Sequence, residues 1–273
     1  MRAGALARVR ALVMKDIAEL ARNPGAVLPA LAVMVAALIP SFLVTVAAPR
    51  LSGETLDESS EFADAARAAL DVLPELAGLE TAARIQAFLF HQFGLLLLLV
   101  PVVGAMAIAA HAVVGEKSAR SLEPLLATPI STSELLAAKT LTPFVFALIV
   151  MWAALALFVS GIALVGEPGV WQTFLSLRGV LLYGLVGPLL SLVSLLMTVI
   201  ISSRVNDPRS AQQLGALVVL PITAIFLAQI IGQFLLGNQA LILSALGLGL
   251  LTAVLLWIGA RVFQRERILM RWK

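Results

Sequence analysis

The sequence predicts an all-α polytopic membrane protein, and three observations carry that reading. Of the 273 residues 60% are hydrophobic and 13% charged, against about 45–50% and about 25% in soluble domains. The charged residues gather in short stretches separated by long charge-free ones. Six of those apolar runs are long enough to cross a hydrocarbon core about 30 Å thick, which takes roughly 20 helical residues.

The spans fall at 27–47, 86–110, 141–165, 179–202, 214–236 and 241–260, within one transmembrane domain covering 1–273, and none of them contains Asp, Glu, Lys or Arg. An intramembrane proton relay needs ionisable groups at such depths, so no relay is evident. Pro40, Pro101, Pro143, Pro188 and Pro221 place kinks in five spans, which membrane helices tolerate when neighbours satisfy the freed carbonyls.

Orientation follows from the basic residues. Residues 1–26 carry five, the 111–140 loop three, the 203–213 loop two and the tail from Arg261 to Lys273 five, fifteen in all. The opposite side holds Arg50, Arg67, Arg84 and Arg178 only. The positive-inside rule then puts both termini in the cytoplasm. The basic tail, so close to the sixth span, suits anionic lipid or topology retention and not nucleic acid.

Residues 1–26 form the first element. Leu6, Val9, Leu12, Val13, Ile17 and Leu20 recur at steps of three and four, with Arg8, Lys15, Glu19 and Arg22 opposite. That is an amphipathic helix, read as an elbow lying in the headgroup plane or as a solvated helix packed beneath the protein. Asn23-Pro24-Gly25 breaks it before the first span. Both lead and span exceed the lengths of a cleaved signal peptide's regions. The external loop 48–85 carries eight carboxylates. Phe62, Ala66, Ala69, Leu73, Leu76 and Leu79 at helical spacing make it either one or two short capping helices or a solvated connector.

The candidate chemistries are few. The absence of cysteine removes disulfides, thiolate metal sites and cysteine nucleophiles. His91 and His111 lie twenty residues apart on one helix, about 30 Å by rise, and so cannot share a metal. They read as interfacial polar residues without evident partners. No H-E-x-x-H run is present for a metalloprotease, nor a Gly-x-x-x-x-Gly-Lys-Ser/Thr loop for nucleotide. Gln86 and Gln92 near the outer end of span two, and Gln229 and Gln233 four apart in span five, seek partners in lipid. They serve interhelical packing, or Gln92, Gln229 and Gln233 line a substrate path.

The loop between spans two and three is the most informative stretch. Span two outlasts the membrane, since residues 86–114 measure about 44 Å as helix. Leu122, Leu125 and Leu126 then form a short apolar ridge flanked by Glu116, Lys117, Arg120 and Glu123, and Pro129 ends it. Ser131 with Glu134 makes a capping box that starts the helix leading into span three. By pattern alone this is a docking surface for a soluble partner or a packed loop.

The run from Gly115 to Lys139, with Gly115-Glu116-Lys117, Arg120-Ser121, Glu123, Leu125-Leu126-Ala127-Thr128-Pro129, Ser131, Glu134 and Lys139, resembles the loop of permease subunits of type-2 ABC exporters. The lead with Lys15-Asp16 and Arg22-Asn23-Pro24, and Ser203-Arg204-Val205-Asn206-Asp207-Pro208-Arg209 before span five, agree with it. Ser121 stands where threonine is common and Ala138 where glycine is. The resemblance implies a multi-pass subunit of the cell membrane, with a cytoplasmic coupling helix in the 111–140 loop. It implies a second permease subunit, identical or homologous, and a separate ATPase subunit holding ATP and Mg. This chain itself is then no enzyme and carries no cofactor. The coupling role falls on Glu116, Lys117, Arg120, Leu122, Glu123, Leu125, Leu126 and Pro129. A gradient-driven or passive transporter and a non-transporting scaffold are the competing readings.

Overall fold

The computed structural model describes residues 5–22, 24–53, 60–118, 132–202, 210, 213, 216–232 and 235–262. Among them almost every residue is helical and no strand forms. Five helices are long and apolar enough to cross a membrane: Gly25–Ser52, Thr81–Ala110, Ala137–Val165, Leu177–Ser202 and Asn238–Arg261. The apolar helix Val219–Gly232 is shorter, at 14 residues. The second of the five is almost wholly enclosed by its neighbours, while the first, third and last expose most of their surface. A polytopic protein in lipid has this arrangement, with apolar side chains inside and outside alike.

α1 (Ala5–Arg22) lies along the first turns of the long helix α7 (Thr132–Val165). α2 (Pro24–Phe42) opens the first span, with Pro24 at a position where a missing N–H costs nothing. Its buried side is made of small residues, Ala26, Ala30, Ala37 and Ser41, so neighbouring backbones come close. A Cβ on Gly104 would stand 3.3 Å from Ala30 Cβ and 4.0 Å from the Ala147 Cα, which places the crossing of the first three spans on three small residues. Small residues serve this purpose where no water drives helices together.

The prolines leave different marks. Leu43–Ala47 widens to a π-helical turn, followed by α3 (Ala48–Ser52) with Pro49 in its first turn. Pro49 has no N–H to return to the Thr45 carbonyl four residues back. Leu95–Leu98 tightens to 3₁₀ between α5 (Thr81–Gly94) and α6 (Leu99–Ser118), two residues after which comes Pro101. Val180–Val186 widens again between the short α8 (Leu177–Gly179) and α9 (Gly187–Ser202), just before Pro188. Pro143, by contrast, sits inside an uninterrupted α7.

The segment after the first span carries α4 (Ser60–Ala68) and two 3₁₀ turns, Ala69–Asp71 and Pro74–Gly78. Ala66, Ala69, Leu73 and Leu76 are buried in the main core, so this segment caps the helix ends. Arg84 holds it down, donating from Nε to Leu76 O (3.2 Å) and from Nη2 to Leu79 O (2.9 Å). After α7, Gly169 at φ +87° turns the chain into a 3₁₀ segment, Val170–Leu175; a side chain there would be strained. α10 (Val219–Gly232) and α11 (Asn238–Val262) complete the described elements.

Candidate functional site

Two polar assemblies sit at opposite ends of the bundle. At one end, α1 and α7 are joined by Lys139, whose Nζ donates to Asp16 Oδ1 (2.9 Å) and Oδ2 (3.2 Å). Both side chains are buried. A buried pair is costly to break because one partner is then left charged and unpaired. Lys139 lies seven residues into α7, whose first residues, from Thr132, are the last of the 115–139 stretch. The Asp16–Lys139 pair thus joins α1 to α7 by a charged bond as well as by packing.

At the other end, several basic residues are tied to main-chain carbonyls. Arg50 Nη2 donates to Val165 O (2.8 Å) at the C-terminus of α7, where a cation meets the free carbonyls. Gln86 accepts from the Glu167 N–H (2.6 Å) and donates to Thr45 O (3.4 Å). The Thr45 carbonyl it reaches is the one that Pro49 cannot serve. A single amide thus clasps the ends of the first three spans.

Arg178 is the most unusual residue of this end. Ser176 caps the short α8, accepting from the Gly179 N–H (3.4 Å), and this turn aims Arg178 inward until only 2% of it is exposed. Its Nε donates to Leu236 O (3.1 Å) and its Nη1 to His91 Nδ1 (3.1 Å). Guanidinium has no acceptor, so Nδ1 of His91 presents its lone pair and the ring proton sits on Nε2. That Nε2–H donates to Thr173 Oγ1 (2.9 Å), whose hydroxyl donates to Val170 O (2.7 Å). His91 also stacks on Phe174, with centroids 4.2 Å apart. Phe174 in turn meets Phe158 edge-on, and Phe158, Phe42 and Phe90 form a T-shaped trio. Tyr183 closes the group by donating to Gly94 O (3.0 Å).

The structure corrects two points of the sequence reading. His91 is no interfacial residue without partners; it is buried and bonded on both ring nitrogens. Arg178, counted as a loop residue, lies inside the helix Leu177–Ser202. Neither was singled out as a site residue. The available signal was weak: a solitary arginine at the start of an apolar run, and a solitary histidine in the first half of another.

Of the proposed path residues, Gln92 and Gln229 are buried, and neither amide atom of Gln229 has a hydrogen-bond partner. Gln233 lies outside the described residues, as do Arg120, Leu122, Glu123, Leu125, Leu126 and Pro129. Glu116 and Lys117 fall on α6, which is helical through Ser118; their side chains are outside the described set, as is that of His111. Among the described residues no cluster of His, Asp or Glu could hold a metal ion.

Five described helices long and apolar enough to cross a membrane define a multi-pass membrane protein. Residues 80–246, more than half of the chain, match the family described as ABC-2 family transporter protein. The chain belongs to that family and is a membrane permease of an ABC-type transporter. No curated protein matches it.

Proposed function

We propose that this chain is the permease subunit of an ATP-driven exporter, with six spans and both termini on the cytoplasmic side of the cell membrane. Val219–Gly232 with its flanking residues supplies the sixth crossing. A second permease subunit, identical or homologous, completes the path, and separate ATPase subunits bind ATP and Mg. The observation that carries this reading is the family match over residues 80–246. The absence of a phosphate-binding loop from the sequence is in keeping with ATP being held by a partner.

The mechanism follows from helix continuity. Closure of the ATPase subunits pulls the coupling element built from Glu116, Lys117, Arg120, Leu122, Glu123, Leu125, Leu126 and Pro129. The pull enters α7, an unbroken helix of 34 residues and so about 51 Å long. Its far end carries the Arg50 and Gln86 contacts. A rigid rod of that length moves the outer clasps when its inner end moves, while Lys139 carries α1 along with it. Gln92, Gln229 and Gln233 line the path between these ends.

Purified with its ATPase, the complex hydrolyses ATP; purified alone, the chain hydrolyses none. Hydrolysis by a preparation free of other proteins would overturn the assignment of ATP to a partner.

A further inference from the structure

Arg178 is a buried cation that uses two of its five N–H groups. Its described partners, His91 Nδ1 and Leu236 O, are both neutral. Its Nη2 is enclosed and has no hydrogen-bond partner. Among the described residues no carboxylate pairs with it; Glu75, on the capping segment, acts on it only through space. A guanidinium taken out of water without a counter-charge costs several kcal/mol in general, and its two free protons match an oxyanion in geometry and charge. Every other polar atom of the relay from Val170 O through Thr173 and His91 is used. Among the described residues no bonded anion completes the assembly.

The surroundings indicate what kind of anion. Leu175, Leu177 and Val180, on the same short stretch, are exposed at 68%, 62% and 61%, while Arg178 between them points inward. An apolar surface thus runs up to a buried cation at a helix end, where acyl chains and headgroup meet. Trp171, half-buried on the preceding turn, is the side chain that favours this depth.

We propose that Arg178 is a binding point for a phosphate-type oxyanion at the outer end of the protein, carried by an anionic lipid or lipid-like molecule. The bonds from Arg178 to Leu236 O and His91 Nδ1 hold the guanidinium while its Nη2 edge takes the oxyanion. As a point where cargo is recognised, this rests on the exporter reading; as a binding site it stands without it.

The experiment uses the full chain in detergent with three probes: dioleoyl phosphatidic acid, dioleoylglycerol with the same tails and no phosphate, and inorganic phosphate. Thermal unfolding and native mass spectrometry read binding. Phosphatidic acid raises the Tm and is retained, and dioleoylglycerol does neither. Protection by inorganic phosphate alone assigns the same site to a soluble oxyanion. Arg178→Gln weakens phosphatidic acid binding about tenfold or more, in line with loss of a charged hydrogen bond. His91→Glu places a carboxylate beside Arg178 and removes binding just as far, while His91→Gln keeps it. If Arg178→Gln fails to fold, the two His91 variants carry the test. Equal response to phosphatidic acid and dioleoylglycerol, or undiminished binding in His91→Glu, overturns the proposal. No ATPase takes part, so either result leaves the exporter reading to its own test.

Discussion

Asp16 and Lys139 are separated by 123 positions, and their side chains meet at 2.9 Å in a buried pair between α1 and α7. Breaking a buried ion pair by removing one partner generally costs about 3–5 kcal/mol, whereas replacing both with apolar groups is far milder. Asp16→Leu and Lys139→Met each lower the thermal stability of the purified chain. The double variant Asp16→Leu with Lys139→Met recovers most of the loss. A double-mutant cycle on Tm checks this; simple additivity of the two singles would show that the pair has no energetic coupling.

The crossing of the first three spans depends on Gly104. A Cβ there already comes within 3.3 Å of Ala30 Cβ, and larger groups force the helices apart. Gly104→Val therefore destabilises by about 1–3 kcal/mol, the usual range for overpacking. Gly247→Ala, in open space on α11, changes unfolding little. Comparable losses at the two positions in a denaturation series would sink the argument from close approach.

Topology can be read by labelling. Single cysteines at Glu167 and Gln239, both exposed, react with an impermeant thiol reagent added outside intact cells. Cysteines at Arg22 and Ala137, exposed near the other end, react only after the membrane is opened. External labelling at Ala137 contradicts the orientation drawn from the fifteen-to-four distribution of basic residues.

The spans were legible because a membrane demands charge-free runs of fixed length, and such runs need no tertiary contact to be recognised. The family likeness was legible for a similar reason, resting on one continuous stretch. What sequence could not supply was pairing. Asp16 and Lys139 were both visible in it, but nothing in the residues between them says that they meet. His91 and Arg178 are 87 positions apart, and each alone reads as an ordinary polar residue at a span end. The prolines were visible, yet whether the helix widens, tightens or continues depends on what neighbours offer the freed carbonyls. Gln86 serving Thr45 O beside Pro49 is one such answer, and the unbroken helix at Pro143 is another. Arg178 turns inward for a local reason, the Ser176 cap and the short α8, but it stays there because Leu236 and His91 are waiting.

The coupling element gives the last test. In the proposed mechanism Leu125 and Leu126 form the apolar knob that enters a groove of the ATPase subunit, with Arg120 and Glu123 at its rim. Changing both leucines to aspartate puts two charges where no counter-charge is provided, and buried unpaired charge at the centre of an interface costs more than the knob contributes. Both positions lie outside the spans, so insertion into the membrane and the Tm of the isolated chain stay at the wild-type value. Retention of the ATPase in co-purification falls, and with it the ATP hydrolysis of the complex. The rim behaves differently: Arg120→Ala or Glu123→Ala alone weakens retention by a few-fold at most, since exposed ion pairs contribute roughly 0–1 kcal/mol. A double-aspartate variant that holds its ATPase as firmly as the wild type removes the coupling role from residues 115–139 and leaves them a packed loop.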